Sequence, residues 1–144
     1  MTSVASFPPA NASALPQAYD QLSRCLAILP ALERHGAVFH ESELALYAML
    51  FAGKTGAEVD LFLQATLGEL APGDDTRKAG LATSLLSYLD HGRHARATAT
   101  ALGIHINTLK QRLDAVTTLT ADWREPTRQL EIHMALRVWS LRTP

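Results

Sequence analysis

Apolar residues recur along most of this chain at intervals of three and four, the spacing that gathers them on one side of an α-helix. Leu22, Leu26, Leu29 and Leu32 predict a first helix from Tyr19 to about His35, stopped by Gly36. A second helix covers about Glu41 to Phe51, with Leu44, Tyr47, Ala48 and Phe51 on one side, and ends in the Gly-Lys-Thr-Gly turn at 53–56. Thr55 and Glu58 have the spacing of a capping box and open a third helix, whose buried face is Val59, Phe62, Leu63, Thr66, Leu67 and Leu70. Ala71 to Asp75 reads as a loop. A fourth helix, from Thr76 to about Leu89, turns Leu81, Leu85, Tyr88 and Leu89 inward and stops at Asp-His-Gly, 90–92. Two segments break the helical period. Ala37 to Phe39 is a β-leaning run too short to build a sheet alone, and residues 1–17, rich in Pro, Ala and Ser, read as a flexible tail or severed linker.

Beyond residue 92 come two shorter helical stretches separated by one glycine. Ala95, Ala99 and Leu102 form one face of the first; Leu109, Leu113 and Val116 form one face of the second. Pro126 then stands where the first turn of a helix accepts proline. That last helix carries two apolar stripes, Leu130, Met134, Val138 and Leu141 on one and Ile132, Ala135, Leu136 and Trp139 on the other. A helix apolar on most sides must be covered from several directions, by its own domain or by a second subunit. The expected fold is all-α, a helical bundle with at most one short strand near 37–39. It divides into a tail (1–17), a helical linker region (18–75) and a C-terminal domain (76–144).

With 144 residues, 47% hydrophobic and only 6% aromatic, the chain suits one compact helical domain or two small ones. No apolar run approaches the roughly 18 residues of a membrane span, and the first ten residues lack the features of a signal peptide, so a cytoplasmic location is expected. Cys25 is the single cysteine, read as a half-buried thiol on a helix. The net charge of −1 hides an asymmetry. Residues 1–76 carry nine acidic side chains against three basic ones; residues 77–144 carry ten basic against five acidic. The second part is the one suited to a polyanion.

Residues 95–113, ARATATALGIHINTLKQRL, have the spacing of a helix-turn-helix. Ala99 is small enough for two helices to approach, and Gly103 can adopt the positive φ that turns the chain sharply. At about 100° per residue, Leu109, Leu113 and Val116 share the buried side. Asn107, Gln111 and Asp114 then face outward, flanked by Lys110 and Thr108. Such a helix fits the major groove of duplex DNA, where Asn or Gln pairs with adenine and Lys or Arg with guanine or phosphate. The residues read as base contacts are His105, Asn107 and Gln111. Those read as phosphate contacts are Lys110, Thr108 and Arg112, with Arg93 and Arg96 at the start of the preceding helix.

The stretch from Leu81 to Leu141 closely resembles the C-terminal helix-turn-helix domain of bacterial transcription regulators of the purine-catabolism regulator (PucR) and carbohydrate-diacid regulator (CdaR) group. The resemblance is carried by LLSYLDHG at 85–92, ATALGIHINTLKQRL at 99–113 and EPTRQLEIHMALRV at 125–138. It implies that His105 to Leu109, with Arg112 and Leu113, opens the recognition helix. Over those few residues the chain is also similar to the DNA-binding tip of the bacterial factor for inversion stimulation. Tyr19 to Leu70 resembles, more weakly, the segment preceding the domain in such regulators, usually the tail of a larger α/β region. Ile106 stands where the family commonly has arginine, Gln111 where it has tyrosine and His94 where it has asparagine. Ile106 either contacts a thymine methyl or turns inward.

Other chemistries fit poorly. Gly-Lys-Thr at 53–55 lacks the glycine a phosphate loop needs five residues earlier, where Ala48 stands. His91 and His94 have no third metal ligand at a suitable spacing, and no nucleophile motif occurs. The reading is a DNA-binding transcriptional regulator rather than an enzyme, with double-stranded DNA and a second copy of itself as partners, no cofactor and no evident small-molecule ligand. The alternative is a helical protein-interaction or dimerisation module with no DNA specificity of its own.

Overall fold

The computed structural model describes every residue except Met1, Phe7, Ala10, His35 and Pro144. Among the described residues lie seven α-helices and one two-stranded parallel sheet. The chain divides into two compact units. One is built on the residues up to Leu61 together with the few from Leu141 on, and the other spans Phe62–Ser140.

In the first unit, strand β1 (Ser3–Ala5) pairs in parallel with β2 (Val38–His40), so the apolar run near 38 is not a lone strand. Its partner comes from the stretch read as tail or linker. A three-residue strand is too short to show alternation, and surrounding Pro, Ala and Ser hide it further. The Thr2 hydroxyl donates to the Arg34 carbonyl beside this pair, and the Arg34 guanidinium lies 5.5 Å from the centre of the Phe39 ring.

Helix α1 (Leu15–Leu32) starts four residues earlier than its leucines predict, because Pro16 fits its first turn. It ends at Glu33 in the left-handed conformation (φ 54°) rather than at Gly36; the expected end, His35, lies outside the described residues. The buried face also differs: Cys25, Ile28, Ala31 and Leu32 point inward, while Leu26 is half exposed. Relative to Leu32, Cys25 and Ile28 fall within about 40° around the helix and Leu26 about 120° away. Cys25 is wholly buried, its Sγ 3.8 Å from the Glu41 carbonyl oxygen, and burial, reinforced by the Glu41 charge, pushes the thiol pKa up. Such a thiol is unreactive.

Helix α2 (Glu41–Phe51) matches its predicted span and buries Leu44, Ala48 and Phe51 against α1. It opens on a capping box in which the Glu43 carboxylate accepts from the His40 N–H while the His40 ring accepts from the Ser42 N–H. Helix α3 (Gly56–Leu67) opens on the expected Thr55–Glu58 box: the Thr55 N–H donates to Glu58 Oε2 (2.9 Å) and the Glu58 N–H to Thr55 Oγ1 (3.3 Å). Lys54 pairs with Glu58 at 3.2 Å. The Gly-Lys-Thr segment is therefore a helix start.

In the second unit, the 3₁₀ turn Gly68–Leu70 follows α3 and buries Leu70 completely. Asp75 caps helix α4 (Thr76–Asp90) by accepting from the Arg77 and Lys78 amides. Helices α5 (Ala95–Leu102) and α6 (Ile106–Leu119) both pack on α4, and the core they share includes Leu81, Leu85, Leu89, Leu109, Leu113 and Val116. Trp123, buried in the turn after α6, meets Tyr88 edge-on at 6.2 Å. Helix α7 (Pro126–Arg142) starts on Pro126 and buries Ile132, Ala135, Leu136 and Val138. The stripe of Ile132, Ala135 and Leu136 is thus buried within the chain itself, while Leu130, on the other stripe, is exposed. The Asp90 carboxylate ties α4 to α7 through His133 Nε2 (2.7 Å) and Arg137 (3.3 Å).

Candidate nucleic-acid interface

The turn between α5 and α6 is fixed by its glycine. Gly103 takes φ 64°, and two hydrogen bonds close the helix end: its N–H donates to the Thr100 carbonyl (3.1 Å) and that of Ile104 to the Ala99 carbonyl (3.0 Å). This is a Schellman cap, with Ile104 and Ala99 as its apolar pair. Ala99 is buried, and Thr98, also buried, returns its hydroxyl to the His94 carbonyl. Two residues after the glycine, His105 starts α6, its Nδ1 accepting from the Asn107 N–H at 3.2 Å.

From this start α6 presents the expected two faces. Leu109, Leu113 and Val116 are buried, while Asn107, Lys110 and Gln111 are exposed, with no side-chain hydrogen bond or ion pair among the described residues. Thr108 and Ile106 are half-buried on the flanks. Asp114, also exposed, continues the outward line two turns beyond Asn107. His105 is exposed, its Nδ1 committed to the cap. Arg93 and Arg96 are exposed at the entry to α5, Arg93 in the left-handed region at φ 66°. His94 makes no side-chain cap there.

Arg112 is placed differently from the others. Half-buried, it donates from Nη1 to Ser84 Oγ at 3.0 Å, and the wholly buried Ser84 hydroxyl donates in turn to the Gly80 carbonyl at 2.8 Å. One guanidinium N–H therefore fixes α6 against α4. Periodicity could not reveal Ser84 as its partner, since the two are 28 residues apart and a small polar residue on α4 reads as surface.

Charge pairing sharpens the asymmetry read from composition. Lys78 meets Glu69, Arg128 meets both Asp122 and Glu131, and Arg137 meets Asp90. Arg124 lies over the Trp123 ring at 4.3 Å and donates to Thr117. Apart from Arg124, the cations with no carboxylate partner among the described residues of this unit are thus those at the start of α4, at the entry to α5 and on α6. Among the described residues no group of three or more His, Cys, Asp or Glu is placed to hold a metal ion, and no helix is long and apolar enough to cross a membrane.

Two helices joined through a left-handed glycine, the second with its polar face outward and braced by a third, define a helix-turn-helix domain. Residues 81–138 match the family model of the PucR C-terminal helix-turn-helix domain, so the resemblance drawn from 85–92, 99–113 and 125–138 is met across α4 to α7. The match covers about two fifths of the chain. No curated protein and no solved structure matches the chain. A PucR-type helix-turn-helix points to a DNA-binding transcription regulator.

Proposed function

We propose that this chain reads duplex DNA as a sequence-specific transcriptional regulator, with α6 in the major groove. The observation that carries the reading is the outward face of α6: two amide side chains, Asn107 and Gln111, and the ammonium of Lys110, all exposed and without a side-chain partner among the described residues, as are Arg93 and Arg96 at the entry to α5. An unpaired amide can offer a donor and an acceptor together to adenine, and Lys110 can reach guanine or a phosphate. At about 1.5 Å per residue, the first two turns of α6 suffice to span the few base pairs one such helix reads. Arg93 and Arg96 serve the adjoining backbone, as does Thr108. His105 orients the first turn through its cap and offers Nε2 to the DNA. Arg112 acts through a guanidinium already oriented by Ser84. Ile106, half-buried, is the candidate neighbour of a thymine methyl.

The regulator acts as a dimer on paired half-sites about one helical turn apart or a multiple of it. Leu130, 62% exposed on α7, is the apolar residue there that a second copy would cover. The test is titration of the chain with mixed-sequence duplex over a range of salt. Binding through 6 to 10 phosphates loses about 10³ to 10⁵ in affinity between 50 and 200 mM salt. The absence of any saltable duplex binding leaves the interaction-module reading in its place.

A further inference from the structure

The outer flank of α6 does not face solvent alone. Thr108, Gln111 and Arg112 share a groove of about 370 Å³ with Thr76, Arg77 and Gly80 at the start of α4. None of the residues lining it is acidic, and two are arginines. The groove sits beside the reading face because Thr108 and Gln111 belong to both. Arg112, which lines the groove, is held by Ser84. Arg77 is exposed, and its guanidinium has no hydrogen-bond or ion-pair partner among the described residues. The neighbouring acid, Asp75, has its carboxylate engaged with the Arg77 and Lys78 amides, and Lys78 leans away to Glu69.

We propose that this groove seats a DNA backbone phosphate, held by Arg77 and Arg112 as cations and by the Thr108 hydroxyl as donor. The inference rests on the duplex-reading assignment of α6 and adds to it a second wall. A helix lying in the major groove has a phosphate strand along each flank. Arg93 and Arg96 are offered by α5, and the α4 groove supplies contacts from another element. Arg77 lies outside the residues that match the family domain. Phosphate contacts position the protein without reading sequence. Arg77 therefore sets affinity and register, while Asn107 and Gln111 set preference.

The test compares wild type with Arg77→Ala and Arg77→Glu on a duplex that wild type binds, and on mismatched versions of it, from 50 to 200 mM salt. Because the Arg77 side chain is exposed and unpaired, both variants should keep the wild-type circular dichroism and melting temperature. Removing one phosphate contact should shallow the log–log salt slope by about 0.9 and weaken binding roughly five- to tenfold near 0.1 M salt, equally for matched and mismatched duplexes. Arg77→Glu should weaken binding further. Unchanged affinity and slope in both variants, with wild type still binding duplex, would overturn the groove assignment and leave the reading face intact. Failure of wild type to bind any duplex would instead remove the reading on which the assignment rests. Inorganic phosphate, titrated at constant ionic strength, should leave the amide resonances of Thr108 and Arg112 unmoved; saturable binding at micromolar concentration would make this a free-anion site and contradict the backbone role.

Discussion

Arg112 Nη1 donates to Ser84 Oγ across 3.0 Å, joining the flank of α6 to the buried side of α4. The bond fixes how far α6 is rolled about its own axis, and so which side chains it turns outward. Ser84→Ala removes the acceptor and should cost about 1 kcal/mol in urea unfolding. Duplex affinity should fall more for Arg112→Ala than for Ser84→Ala, because only the former also deletes a charge. Equal losses would make Arg112 a brace alone.

Gly103 holds φ 64°, and a Cβ added there meets nothing within 4 Å. The cost of Gly103→Ala is therefore conformational, about 1 to 2 kcal/mol, the usual penalty of an L-residue in the left-handed region. Gly103→Asn should lose less, since asparagine visits that region more readily. Chemical denaturation of the three proteins measures both; an unchanged midpoint for alanine would mean that the turn relaxes into another conformation.

His105 caps α6 through Nδ1, and its ring is also offered to DNA. His105→Ala should lose about 0.5 to 1 kcal/mol of stability, whereas His105→Ser restores a capping oxygen and should recover it. Duplex titration of the serine variant then isolates the contact. Wild-type affinity in His105→Ser would confine this residue to capping.

The Glu58 carboxylate accepts from the Thr55 N–H and from Lys54, which together hold its pKa below the ordinary glutamate value. A folded-state pKa lowered in this way adds stability that is complete above the ordinary value and disappears as the pH falls through the lowered one. Glu58→Gln should therefore be less stable than wild type at neutral pH and converge with it in acid, flattening part of the acid limb of the stability–pH curve. An identical acid limb in both proteins would show that the box contributes nothing to it.

Much of the fold is legible in the chain because long helices repeat their signal. The Leu44–Phe51 face, the Thr55–Glu58 box and the Leu109–Val116 face appear in the structure as spacing predicts. The failures occur where the signal is short or shared. In α1 the stretch offers both a leucine stripe and the Cys25–Ile28–Leu32 stripe, and packing against α2 selects the second. Strand pairing between Ser3–Ala5 and Val38–His40 joins segments 35 residues apart, a distance over which local pattern is silent. At the interface, exposure of Asn107, Lys110 and Gln111 follows from the helix period alone. The Ser84 brace and the Arg77 groove do not, because both depend on α4 lying beside α6.

The central claim is that the outward side chains of α6 choose the bases. Enrichment of a random duplex pool by wild type and, in parallel, by Asn107→Ala and Gln111→Ala measures this directly, with Lys110→Ala as a control for a charge contact. Wild type should enrich a defined motif, and each amide variant should lose discrimination at particular positions, by about 1 to 3 kcal/mol, while melting like wild type. Recovery of one identical motif by all the proteins, or of none by wild type, would contradict the account.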